Sequence, residues 1–406
     1  MQNRCSLITA LLLSATSPSL FASGFQLQEA SIAGLGSANA LVAAPDDPGS
    51  MPYNPATMAF RTHAQLFTGV IKITPHLQVT PEGASRGYSG TGHSSTHVPN
   101  FGITVPVNAR WSTGLYFGVP FGAETDWESG AFPAFAGALK AFTPTKTQLE
   151  VYNLNPNVSY RLSPVASIAG GIDYYDLRRA QLDSVGATVK GDGSAYGWNV
   201  GGIYLADRWN FGISYRSGVD VAIRGKIDAG AAGSSTATSR ITLPDRWQLG
   251  ARYHATTRLA VEFDLVRTGW SRFHGLVIHH STLLTSPLVS ASDFHDTNTY
   301  QLGLGYQWGD NTLLRMGYAY GDDAGGANKF NARAPAAARQ SLSIGVAHDI
   351  NNWRWEAGYM YTQQQDRSYH SNVAYVPGQD PDGTNAYNGT YRADAHLLGV
   401  GLAVKL

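Results

Sequence analysis

Apolar residues that recur at every second position, separated only by small or polar ones, leave a chain few ways to fold, and this sequence repeats that pattern almost end to end. In "YQLGLGYQWG", Tyr300, Leu302, Leu304, Tyr306 and Trp308 fall on one face of an extended strand, with Gln301, Gly303, Gly305, Gln307 and Gly309 on the other. "WNFGISYRS" and "WQLGARYHA" repeat it, and the closing "HLLGVGLAVKL" puts His396, Leu398, Val400, Leu402, Val404 and Leu406 on one face. A soluble β-sandwich also alternates, but its polar face carries many charges. Here only 14% of residues are charged, and the polar faces are mostly Gly, Ser, Asn and Gln. After residue 23 no stretch approaches the roughly 20 apolar residues that a membrane helix needs. A chain that meets lipid without such helices satisfies its backbone only as a closed barrel. The fold class expected is therefore all-β, a transmembrane antiparallel β-barrel. Trp111, Trp198, Trp209, Trp247, Trp308, Trp353 and Trp355 lie near segment ends, as an interfacial girdle requires.

The connections alternate between tight and long. Tight turns are expected at 108–110, 162–164, 206–208, 255–257, 309–311 and 350–352. Long loops are expected around 80–97, 126–145, 182–194, 228–240, 280–297, 322–338 and 366–390. Short periplasmic turns and longer external loops are the habit of outer-membrane barrels. Both end connections are long, so the strand number is even and both chain ends lie on the short-turn side; the count is about 14. A lumen of that size is too wide for its own side chains to fill, so either something plugs it or it conducts.

Residues 1–22 have a basic Arg4, an apolar run and small residues near Ser23, the layout of a secretory signal peptide. Cys5, the single cysteine, lies within it, so the exported chain is expected to hold no disulfide and no thiolate metal site. With 29 basic and 29 acidic residues and no basic block, nothing resembles a nucleic-acid footprint. Between the signal and a barrel spanning 61–406, residues 23–60 are dense in turn formers, as in "PDDPGSMPYNPATMAF", yet also carry Phe25, Leu27, Ile32, Leu35, Leu41 and Met58. A compact plug accounts for both features, with short helical turns stopped by prolines.

"SGFQLQEASIAGLGSANA" and the following "DDPGSMPYNPATMAF" resemble the N-terminal hatch of the FadL family of outer-membrane long-chain fatty-acid and hydrocarbon transporters. The likeness continues through "GWNVGGIYLADRWNFGISYRSGVDVAIRGKI", "LPDRWQLGARYHATTRLAVEFDLVRTGWSRF" and the last strand. It implies a monomeric 14-stranded barrel in the bacterial outer membrane, plugged by a hatch, with no cofactor. A hydrophobic ligand is captured outside, held in an apolar pocket and released sideways into outer-membrane lipid through a kinked third strand. Gly118, Pro120 and Gly122 stand at the matching place, where Pro cannot donate to a ladder and Gly permits a bulge. Phe25, Asn54, Pro55 and Ala56 are the hatch residues that the resemblance brings to that kink. Two departures from the family are short external loops and a terminal Leu406 where an aromatic is common.

A carboxylate head group taken out of water needs a cation or several donors. Arg178 and Arg179 are the candidates, with a loop-facing pair at the rim as the alternative. Arg216, Arg252 and Arg315 also face the lumen, but Glu262, Asp264 and Glu356 do so too, which favours an internal ion-pair network. Phe132, Phe135 and Leu139, in "AFPAFAGALKAFT", offer either an exposed capture patch or packing against the rim. His93, His97, His279, His280 and His295 match no ligand spacing, so no metal is expected. A lipid hydrolase needs a nucleophile with an oriented His, but "AHDI" places His348 and Asp349 on opposite faces. A general porin remains a rival that a plug would weaken.

Overall fold

The structure, a computed structural model, describes residues 24–91, 95–280, 287–326, 329–378 and 383–406. The expected signal peptide, Cys5 and His93 lie outside the described residues. Fourteen antiparallel barrel strands follow. They are β1 (Gln65–Pro81), β2 (Thr96–Pro106), β3 (Trp111–Asp126), β4 (Pro144–Ser163), β5 (Ala166–Ser184), β6 (Thr188–Leu205) and β7 (Trp209–Arg216, continued by Val219–Asp228). The second half comprises β8 (Ser234–Leu243, continued by Arg246–His254), β9 (Leu259–Thr268, continued by Gly275–His280), β10 (Leu288–Ala291, then Thr297–Trp308), β11 (Thr312–Gly321), β12 (Arg339–Ile350), β13 (Trp353–Gln364) and β14 (Gly389–Lys405). Each pairs with its neighbours in sequence, and β14 returns to β1 from Pro81↔Gly389 to Gln65↔Lys405, which closes the barrel.

The alternation reads out as expected. Tyr300 is 43% exposed and Leu302 42%, whereas Gln301 between them is 2% exposed. Such an inverted surface is stable only against lipid. All seven girdle tryptophans are exposed, while the other two, Trp127 and Trp270, are buried inside. The six tight turns fall where the sequence puts them, within a residue or two. Two of the long loops do not. β5 and β6 run on to a hairpin of residues 185–187, and β7 and β8 meet at residues 229–233, so polar residues there continue the ladder past the membrane. Polarity marked the end of the lipid, not the end of the strand.

Residues 24–60 are folded inside the barrel, nearly all buried. Ser31 caps α1 (Ile32–Gly36) by accepting from the Gly34 N–H, and Asn54 caps a turn of 3₁₀ helix at Pro55–Phe60 by accepting from the Ala56 N–H. The inward glycines of the strand pattern are where this segment sits. Added Cβ atoms at Gly212, Gly317 and Gly345 would lie 2.3 Å from Val42 O, 2.4 Å from Ser37 C and 2.8 Å from Gly36 Cα. Backbone thus rests directly on backbone, which no side chain would permit.

Ion pairs hold the segment as well. Arg315 on β11 contacts Asp47 at 2.5 Å and Glu356 at 3.1 Å; Arg252 on β8 contacts Asp46 at 3.3 Å and Glu262 at 3.0 Å. Val42 and Ala43 donate their N–H groups to Asp264 and Glu262 at 3.0 and 2.6 Å. Arg216 pairs with Asp173 on β5. The expected internal network is present, and it ties the N-terminal segment to the wall as well as the wall to itself.

Candidate functional site

The third strand is broken. Its ladder with β2 stops at Phe101↔Phe117, and its ladder with β4 skips from Gly118 to Phe121, leaving Val119 and Pro120 as a bulge. Proline carries no N–H and the bulge turns the strand. The N-terminal segment takes the place of β2 along the freed edge. Leu27 donates its N–H to Pro120 O at 2.9 Å, and Gly122 donates its N–H to Phe25 O at 3.0 Å. Gln26 forms an antiparallel bridge with Phe121. Above the break, Asp126 and Glu128 donate to the carbonyls of Gly90 and Ser89 in the β1–β2 loop. The wall between β2 and β3 is thus interrupted over the stretch that begins at Gly118.

Phe25 is the central side chain here. It packs edge-on against Trp270 at 4.7 Å, Phe273 at 5.3 Å and Phe121 at 6.1 Å, geometries that favour aromatic pairs. The approach to Trp270 requires Gly24, with φ +66° and no room for a Cβ. Phe25 also lines a mainly apolar cavity that encloses about 910 Å³ of space, part of it open solvent. Leu149, Leu182, Ile223, Ile241 and Phe273 form its sides.

Among the polar groups of the lining, one cation comes from a loop. Arg333, in the external loop before β12, reaches Lys146 O at 3.2 Å and Thr147 Oγ1 at 3.3 Å, with Asn331 and Gln148 also in the lining. Among the described residues no carboxylate forms an ion pair with Arg333. Burial lowers its pKa from the ordinary arginine value. A desolvated cation in an apolar chamber is a receptor for an anion.

The arginines expected from the sequence are elsewhere. Arg178 is 59% exposed at its side chain, pairs with Asp176 at 3.0 Å and lies over the Tyr152 ring at 4.4 Å. Arg179 donates to Gln148 Oε1 at 3.3 Å. Neither is among the cavity's lining residues: Arg178 follows the outward phase of Tyr174 and Asp176, and a register shift after Leu177 takes Arg179 out of the inward phase of Tyr175 and Leu177. Arg333 was missed because "NARAPAAARQ" has no strand period, and only the folding of that loop brings it over the chamber.

Asn54, Pro55 and Ala56 do not meet the kink either. Asn54 donates through Nδ2 to Val42 O at 2.9 Å and Gly202 O at 3.0 Å, and Ala56 O accepts from Ser167 at 2.7 Å. They anchor the segment to β5 and β6, while Phe25 and Leu27 make the hydrogen bonds to β3. Phe132 and Phe135 are buried, packed with Trp127, Tyr375 and Tyr387, so they form a capped external cluster rather than an open patch; Leu139 lies at its edge. His348 bonds Thr312, and Asp349 pairs with Arg354, so no His–Asp dyad forms.

Residues 12–405 match the profile of a family described as outer membrane protein transport protein (OMPP1/FadL/TodX). The long-chain fatty acid transport protein of Salmonella typhi is 26% identical, over 91% of each chain. Outer membrane protein P1 of Haemophilus influenzae (strain ATCC 51907 / DSM 11121 / KW20 / Rd) is also 26% identical, over 98% of each. Among solved structures, a Pseudomonas aeruginosa FadL homologue superposes with a TM-score of 0.78 at 17% identity, covering 94% of this chain and 99% of that one. The Pseudomonas putida toluene transporter TodX gives 0.64 at 14% identity, covering 95% and 98%. At these identities the structural likeness speaks to the fold alone.

Proposed function

The chain belongs to the outer membrane protein transport protein (OMPP1/FadL/TodX) family, whose members carry hydrophobic molecules across the outer membrane, and from that premise we propose that its cargo is long-chain fatty acids. The observation that carries the reading is Arg333, a cation for which no carboxylate ion pair is found among the described residues, set in a mainly apolar cavity whose other cation, Lys190, is exposed. An acyl tail gains about 0.8 kcal/mol per methylene on leaving water, on the order of 10 kcal/mol for a long chain. A water-filled pore forfeits that gain, whereas a chamber lined by Leu149, Leu182 and Ile223 keeps it. The carboxylate then answers the desolvated guanidinium, with Asn331 and Gln148 as further donors.

Phe25 forms the floor of that chamber and also the strand bonded to Pro120 and Gly122. A tail that displaces Phe25 strains the two hydrogen bonds that close the β3 break. Loading and lateral release are coupled in this reading through one short segment. The curated relatives named long-chain fatty acid transport proteins support it. A second reading, uptake of small aromatics, is favoured by the nest of Phe25, Trp270, Phe273 and Phe294.

The test is equilibrium binding of a long-chain fatty acid and of toluene to the protein in detergent. Arg333→Ala is expected to weaken the fatty acid by about 10–150-fold, the 1.5–3 kcal/mol of a hydrogen bond to a charged group, and to leave toluene unchanged. Arg178→Ala/Arg179→Ala serves as the control expected to change neither. Toluene binding together with fatty-acid binding indifferent to Arg333 would transfer the assignment to the aromatic reading.

A further inference from the structure

The outer face of the barrel carries a polar cluster where its first and last strands meet. His76 on β1 and Asp394 on β14 are directly paired across that seam, with Nδ1 3.1 Å from Oδ2. His396 lies two residues along β14, on the same face, its ring 5.9 Å from that of His76. One nitrogen or oxygen from each of the three lies within 4.8 Å of the other two. All three point outward, since Leu77, Ala395 and Leu397 between and beside them are buried.

We propose that His76, Asp394 and His396 form a site for a divalent transition metal, zinc foremost, that staples the closing seam of the barrel. Two residues at i and i+2 on one strand and a third opposite on its neighbour define a triangle on one sheet face. Two imidazoles and one carboxylate are a zinc-type donor set with a position left for water. Calcium and magnesium favour oxygen donors throughout. Zinc ligands stand at about 2.0–2.1 Å from the metal and so about 3.5 Å from one another. Rotation of these exposed side chains brings the ligand atoms that much closer.

A second contact supports the site. The Tyr359 hydroxyl lies 2.8 Å from His396 Nδ1, which holds the ring and leaves Nε2 without that contact. An outer partner of this kind is the usual companion of a metal-bound imidazole. On the same face of β14, Arg392 is engaged by Asp366 at 2.7 Å, so it does not compete for Asp394. The spacing of histidines in the sequence gave no sign of the site, because its ligands come from the two ends of the chain.

Tag-free protein in detergent, stripped with a chelator, would be titrated with Co²⁺ and with Zn²⁺. The wild type is expected to bind one more equivalent than His76→Ala/His396→Ala, with visible cobalt d–d bands that the double variant lacks. Tyr359→Phe is expected to weaken binding about tenfold. Zinc should raise the unfolding temperature of the wild type and not of the double variant, as ligand linkage requires. These side chains face outward and pack no core, so the variants keep the barrel. Identical titrations of the wild type and the double variant, or no cobalt bands in either, would overturn the site.

Discussion

Replacing Arg315 with methionine will unlatch the N-terminal segment and let ions through the barrel. Arg315 is 4% exposed and stands between Asp47 of the segment and Glu356 of β13. Burial pushes the Asp47 carboxyl up, but the guanidiniums of Arg315 and Arg354 pull it further down, below the ordinary carboxylate range. Asp47 is therefore charged at neutral pH, and without Arg315 it faces Glu356 across a buried gap. Removing one partner of a buried charge cluster destabilises by about 3–5 kcal/mol, because the remaining charge is left uncompensated. The segment can relieve this by withdrawing Asp47 towards water. Planar-bilayer recordings should show conductance that the wild type lacks, and limited proteolysis should cut within residues 45–61. The triple change Arg315→Met/Asp47→Asn/Glu356→Gln should recover much of the closure, since the charges are removed together. A closed, protease-resistant Arg315→Met protein would refute the latch.

The second large effect is expected from Gly317→Val. An added Cβ at Gly317 would lie 2.4–2.6 Å from the backbone of Ser37 and Ala38, atoms that cannot rotate away. Overpacking of a tight interior typically destabilises by about 1–3 kcal/mol, and here the whole strain falls on the contact between segment and wall. The barrel, whose ladders do not involve that Cβ, should still assemble. Gly305→Ala on the same face is the matched control, because the nearest atoms there are 3.6 Å or more away and belong to side chains. The expected outcome is an assembled Gly317→Val barrel with raised conductance and weakened retention of ligand, and a Gly305→Ala protein like the wild type. Equal behaviour of the two variants would mean that the glycine seat does not hold the segment.

These two sites also show how far the sequence could be read. The inward phase of Gly303, Arg315 and Gly317 was legible from alternation alone, and so was the pairing of inward arginines with Glu262 and Glu356. That the glycines receive a backbone was not legible. A small residue on a lumen face suits a water channel as well as a seat, and the choice depends on chain hundreds of residues away. The break at Pro120 was expected from the family resemblance, and a proline amid glycines made it physically reasonable. The strand that mends it, Phe25–Leu27, was not, because a single bridge with two hydrogen bonds leaves no period in the sequence. Arg178 and Arg179 misled for a related reason: one inserted residue reverses which side faces inward, and a bulge has no reliable signature.

Period and connection length by themselves determined that this chain forms an even-numbered barrel in a membrane, with both ends on the short-turn side and a segment available to fill it. Those features follow from local rules, since each strand must face lipid on one side and satisfy its backbone through neighbours. Only the tertiary structure decided that Arg333 reaches the cavity, which residues close the third strand, and which side chains meet across the seam of β1 and β14. Each of these is a contact between segments remote in sequence, fixed by register, bulges and loop packing, and none of those quantities is written in any one stretch of residues.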